Sequence, residues 1–141
     1  MIAGLDWVER DQSTMSRAVE QWIERARYDI ETAEVLLHNQ RYLYVLFCCQ
    51  QAVEKALKAV IAQRSREMPP RLHNLVLLAD RAGIVLDEPR AALFRLLNGY
   101  YLNSRYPEEL PREEANVGEP DAAGALEGSR EVLRWLALML E

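Results

Sequence analysis

Apolar residues in this chain recur at spacings of three and four in one segment after another. Alternation with polar residues, the mark of a half-buried strand, is almost absent. That contrast constrains the fold more than any other feature, because a period near 3.6 buries one face of a helix and a period of two buries one face of a sheet. Residues 16–38 place Trp22, Ala26, Ile30, Ala33 and Leu37 in register with charges between them, which predicts a first helix. After the polar turn Asn39-Gln40-Arg41, residues 42–64 predict a second, with a wide apolar face of Leu43, Leu46, Phe47, Val53, Leu57, Val60 and Ile61. Met68-Pro69-Pro70 is expected to stop it, since proline lacks the N–H and disfavours helical geometry in the residue before it.

Asn74 is placed to cap a third helix carrying Leu75, Leu78, Ala79 and Ala82, and Gly83 to end it. Asp87-Glu88-Pro89 opens a fourth, through Leu93, Leu96, Leu97, Tyr100 and Tyr101 to about Arg105-Tyr106, where Pro107 follows. Residues 107–119 read as a loop. Pro120-Asp121 opens a last helix to about Leu140, with Ala125, Val132, Leu133, Leu136 and Leu140 on its apolar face. The expected fold is all-α: a five-helix, up-and-down antiparallel bundle with short links. Residues 1–17 read as an N-terminal extension and 18–141 as one helical domain. A chain of 141 residues suits a single core.

The formal net charge is −5, so no global basic footprint for nucleic acid exists, although a local basic groove remains open. Cys48 and Cys49 are adjacent within an apolar run. They suggest no disulfide framework, and with it a reducing cytoplasm. No apolar run reaches the length of a membrane span, and residues 1–17 lack a signal-peptide core. No P-loop, GxGxxG, HExxH, paired CxxC or GxSxG pattern occurs. No cofactor and no metal site is expected.

Four strings stand out in order: Trp22-x3-Ala26-x2-Asp29-x3-Ala33, Gln51-Ala52-Val53-Glu54-Lys55-Ala56-Leu57-Lys58-Ala59, His73-Asn74-Leu75, and Tyr101-x3-Arg105-Tyr106-Pro107. Together they resemble the HEPN family, the "higher eukaryotes and prokaryotes nucleotide-binding" domain, over about residues 18–140. The resemblance implies a helical bundle that commonly dimerises, and a nucleotide or RNA theme. It also implies a toxin–antitoxin setting with a minimal nucleotidyltransferase as protein partner. Several members are metal-independent ribonucleases with an Arg-x4–6-His motif near the end of the fourth helix. Here Arg105 is followed by no histidine at that spacing; His38 and His73 lie on other segments. The chain therefore resembles the Arg-Tyr-Pro branch, which is linked to nucleotide binding.

The candidate site residues have functional and purely structural readings side by side. Arg105 would grip a phosphate through its planar guanidinium, or cap the last carbonyls of its own helix, or pair with Glu54. Tyr101 or Tyr106 would stack a base. Tyr100 and Tyr101, being adjacent, point to different sides, one of them into the core. Gln51, Glu54, Lys55 and Lys58 form a polar stripe at i, i+3, i+4 and i+7. It reads as a phosphate groove, a solvated face closed by its own i,i+4 pairs, or a dimer interface. His73 reads as a helix-start packing residue or as a general acid–base, with the N–H groups of the following helix available to an anion. His38 reads as a charge complementing the dipole of the first helix. Asp29 would orient Arg105 or Lys55, or lie on the surface. Cys48 and Cys49 read as buried, inert thiols. Three functions follow: a nucleotide- or RNA-phosphate-binding module, a degenerate ribonuclease using Arg105 and His73, or a pure protein-interaction module.

Overall fold

A computed structural model describes the backbone of residues 2–105 and 117–140, and the side chains of residues 17–101 and 117–140. Among the described residues there are five helices and no strand: α1 Ile2–His38, α2 Tyr42–Ser65, α3 Leu75–Arg81, α4 Glu88–Arg105 and α5 Glu119–Leu138. The expected all-α class and helix order hold. Three boundaries differ. The first helix begins at Ile2 rather than near residue 16, so the backbone of the N-terminal extension continues α1 without a break. The second helix ends at Ser65, ahead of the prolines. Arg66 turns left-handed there (φ 59°) and its N–H returns to the Ala62 carbonyl. The last helix starts at Glu119 and ends at Leu138. Most of the expected 107–119 loop lies outside the described residues.

The local chemistry explains the other boundaries. Between α1 and α2 the Arg41 N–H reaches the Leu36 carbonyl at 2.9 Å, which turns the chain through Gln40 at φ 61°. Asn74 caps α3 by accepting from the N–H of Val76 and of Leu77. Gly83 closes α3 at φ 74°, a conformation that suits a residue with no Cβ. Asp87 accepts from the Arg90 N–H to start α4. In α5, Asp121 reaches back to the Gly118 N–H.

α2 is the axis of the bundle and packs against each of the other four helices. Fourteen of its 24 residues are buried, so it has core on nearly every side instead of the single apolar stripe of a surface helix. α1 runs antiparallel to α2, with Lys55 opposite Asp29 and Lys58 opposite Trp22. α5 is antiparallel to α1, with Arg130 meeting Glu34. Phe94, Leu97 and Leu126 bring α4 and α5 onto the same core. Arg90 ties those two helices together at the surface, pairing with Asp87 and Glu131 while its guanidinium stacks 3.9 Å above the Trp135 ring. At Gly128 an added Cβ would come within 3.2 Å of Leu93 Cδ2, so glycine sets how closely α5 approaches α4.

Asn74→Ala should remove the α3 cap and also strand Asn98, whose amide donates to Asn74 Oδ1 at 3.1 Å. A loss of about 1–2 kcal/mol is expected in urea unfolding. Unchanged stability would mean that α3 is held by its buried leucines alone.

Candidate functional site

Helical periodicity places Gln50, Glu54 and Lys58 one turn apart on one side of α2. That side does not face solvent. Gln50 is fully buried and Glu54 and Lys58 are nearly so. Of the predicted stripe, Glu54 and Lys58 are therefore closed over by other elements while making their expected i,i+4 pair, and Gln51 and Lys55 are only part-buried. Gln50 Nε2 donates to Glu54 Oε1 at 3.1 Å, and Lys58 Nζ donates to Glu54 Oε2 at 3.0 Å. The Lys58 ammonium also lies 5.7 Å from the centre of the Trp22 ring on α1, within reach of a cation–π attraction. Gln51 Nε2 donates to Gln50 Oε1. Lys55, one residue round the helix, is only part-buried and binds Asp29 of α1 at 2.6 Å. Of the readings of Asp29, the structure thus shows the partner of Lys55.

The link between α2 and α3 completes the network. The His73 carbonyl accepts from Gln50 Nε2 at 2.9 Å. The His73 ring places Nδ1 at 3.0 and 3.2 Å from the two Glu54 oxygens. An ionised carboxylate only accepts, so this contact orients the ring with Nδ1 toward Glu54 and Nε2 away from it. Nearly half of the His73 side chain is open to solvent, whereas Glu54 is 7% exposed. A buried carboxylate thus holds an accessible imidazole in one orientation.

α4 provides the other wall. Tyr101 is buried, with its ring stacked at 5.5 Å on Phe47 of α2 and 5.3 Å from His73. Of the adjacent tyrosines, Tyr101 is the one in the core, while Tyr100 is half-buried against it. Arg105 is the last residue of α4, one turn beyond Tyr101. Its side chain lies outside the described residues, as does Tyr106. Asn98, one turn before Tyr101, accepts from the Leu75 N–H at 2.9 Å.

The N–H groups of Leu75, Val76 and Leu77 are taken by Asn98 and Asn74, so the start of α3 does not offer them to an anion. Gln50 and Asn98 are the polar residues that sequence reasoning misses. Gln50 carried a signal, sitting four residues before Glu54, but the apolar run around it masks that pairing. Asn98 carried none, because its partners are 23 and 24 residues away. Cys49 is fully buried, and burial pushes its thiol up to about 12; burial also raises Cys48. Both are inert at neutral pH. Among the described residues, no cluster of His, Cys, Asp or Glu could hold a metal ion, and no helix is long and apolar enough to cross a membrane.

The family model described as "HEPN domain" matches residues 19–139. Among solved structures, TT1696 from Thermus thermophilus superposes with a TM-score of 0.75 at 25% identity, covering 86% of this chain and 98% of that one. ST0689, titled an archaeal HEPN homologue, superposes with a TM-score of 0.68 at 26% identity, covering 87% of this chain and 98% of its own. A search of curated proteins gives no match.

Proposed function

The chain belongs to the HEPN domain family, and on that premise we propose that its polar corner between α2, the start of α3 and the end of α4 binds a nucleotide or the phosphate backbone of RNA. The observation that carries the reading is the His73 ring, fixed by Glu54 and seated beside Tyr101, one helical turn from Arg105. Arg105 supplies the phosphate-gripping guanidinium. His73 supplies a second donor, and Tyr106 an aromatic face for a base. Lys55, held by Asp29 of α1, would add positive charge. Lys58 contributes from below, by neutralising Glu54, and Gln51 contributes by orienting Gln50. The same reading makes the protein a cytoplasmic homodimer paired with a nucleotidyltransferase in a toxin–antitoxin arrangement. Co-purification of that partner from native extract tests the pairing.

The first test is a thermal-shift titration with ATP, GTP, AMP and a short single-stranded RNA, on the wild type and Arg105→Ala. At about 100 times Kd, a ligand should stabilise the fold by roughly 2.7 kcal/mol. That shift should vanish in the variant. Equal shifts in both proteins would remove Arg105 from the site, and no shift with any ligand would favour a pure interaction module.

The same His73–Glu54 geometry favours a second reading, as a ribonuclease without the usual Arg-x4–6-His motif. His73 Nε2 would take the proton of a ribose 2′-hydroxyl as that oxygen attacks phosphorus. The P–O5′ bond would break as the 5′-oxygen takes a proton from solvent water, giving a 2′,3′-cyclic phosphate, and Arg105 would stabilise the charge developing on the phosphate oxygens. RNA cleavage lost in His73→Ala would establish this reading, and no cleavage of several RNAs by clean protein would discard it.

A further inference from the structure

α1 is longer than the helices that cover it. It runs Ile2–His38 without a break. From Val19 onward one face of it is core: Val19 clusters with Ala59 and Ala62 of α2, and Ala26, Ile30 and Ala33 join the main core. α2 runs antiparallel and ends at Ser65, less than one turn beyond Ala62. α5 ends at Leu138, where Ala137 and Leu140 share a depression with Val19 and Ile23. Both covering helices thus give out near residue 16 of α1. The turns before it, residues 2–15, run on past them for about 21 Å at 1.5 Å per residue.

In sequence, the core face of α1 does not stop there. From Ala26 it steps back through Trp22, Val19, Met15, Gln12, Val8 and Leu5 at alternating spacings of four and three, the a and d positions of a heptad. Glu9 and Asp11 take the flanking e and g positions, and Asp6 lies at b. Arg10, the one base between residues 2 and 16, lies at f, on the far side of the helix. Gln12 is the polar member of the seam, and one polar residue at an a position sets register at a cost in stability. These residues precede the stretch that the family model matches, so the shared HEPN fold does not account for the pattern.

The geometry and the charges select what covers this seam. In a parallel pair with a second copy, the other unbroken α1 would continue along the same face into the space that α2 fills, since paired helices lie only about 8–10 Å apart. In an antiparallel pair with the seams centred, Glu9 meets Glu9 and Asp11 meets Asp11 of the other copy, and like charges there repel. A bilayer surface or a nucleic acid calls for basic flanks, and these flanks are acidic. A helix of a different protein fits: apolar in the layers of Leu5, Val8 and Met15, with lysine or arginine beside Glu9 and Asp11.

We propose that residues 2–15 of α1 are a docking element for a basic-flanked amphipathic helix of another protein, about four turns long, seated end to end with α2 on the same face of α1.

Calorimetric titration of the full chain with two synthetic three-heptad peptides tests this. Both carry leucine at a and d. One has lysine at e and g and the other glutamate, so neither pairs with itself. Saturable 1:1 binding of the lysine peptide is expected, with the glutamate peptide at least tenfold weaker. Glu9→Lys/Asp11→Lys should invert that preference. Leu5→Asp/Val8→Asp should weaken the lysine peptide at least tenfold with the melting temperature unchanged, and Arg10→Ala should leave binding unaltered. Absence of saturable binding would overturn the proposal, as would equal affinity for both peptides or full affinity in Leu5→Asp/Val8→Asp. A fall in melting temperature of about 5 °C or more in that variant would also overturn it, because the seam would then be closed by this chain itself. So would a wild-type dimer that the variant splits, which would make a second copy the occupant. None of these outcomes touches the polar corner, where Arg105→Ala is read independently.

Discussion

Glu54→Ala is expected to cost about 3–5 kcal/mol of unfolding free energy, because it removes the shared acceptor of a buried network and leaves an uncompensated charge inside the bundle. The Glu54 carboxylate takes hydrogen bonds from Gln50, Lys58 and His73. Lys58 is 8% exposed at its side chain, so its ammonium cannot simply turn to water. The Trp22 face would remain, but a ring quadrupole replaces only part of a carboxylate. The melting temperature should fall by roughly 10–20 °C. A companion variant separates charge from packing. Glu54→Leu/Lys58→Met removes both ions together, and apolar replacement of a buried pair is often close to neutral. The double variant should therefore be more stable than Glu54→Ala, even with His73 and Gln50 short of a partner. A Glu54→Ala loss under about 1 kcal/mol in urea unfolding would show that water enters and solvates Lys58.

Phe94→Ala should be comparably damaging for a different reason. Phe94 heads the fully buried side chains in size and lies on α4 inside the main core. α4 has a short list of other anchors: Leu97 and Tyr101 below it, and the Arg90 node at the surface. Truncating a buried phenylalanine loses its transfer free energy and leaves a void that the neighbours only partly fill, about 3–5 kcal/mol in all. Leu96, two residues further on, is 46% exposed. Leu96→Ala should cost under about 1 kcal/mol, and the ratio between the two variants reads out the face that α4 turns inward. If they cost the same, α4 does not pack as described.

Apolar spacing was enough to place the helices, and cap chemistry was enough to start α3 at Asn74 and α4 at Asp87. Both signals are local, which is why they survive without a structure. The end of α2, expected at residue 64, falls at Ser65, but its cause was not legible. The prolines at 69 and 70 mark where a helix cannot continue, but Arg66 had already stopped it by turning left-handed, and nothing in an arginine announces that. The stripe on α2 shows a deeper limit. Glu54 and Lys58 look like any i,i+4 surface pair, and periodicity reports only that they share a side. It does not report that Trp22 arrives from α1 and His73 from the link to α3. Within the candidate corner, the pairing of Lys55 with Asp29 was one of the readings available from sequence, whereas the bond from His73 to Glu54 was not. Arg105 and Tyr106 were legible through the Arg-Tyr-Pro string alone, and their side chains fall outside the described residues.

The central position of α2 also bears on how the protein is made. A ribosome delivers α1 and α2 first, and α5 only after residues 66–118 have followed. Until then the flank of α2 that α5 covers, around Cys49, which meets Ser129 there, lacks that partner. The α1–α2 hairpin is thus a nascent intermediate with a hydrophobic side open to other chains. Premature termination anywhere before residue 119 would release that intermediate permanently, as a chain with an incomplete core. Within this domain the α1–α2 hairpin stays unfinished until the Glu119–Leu138 helix arrives to cover it.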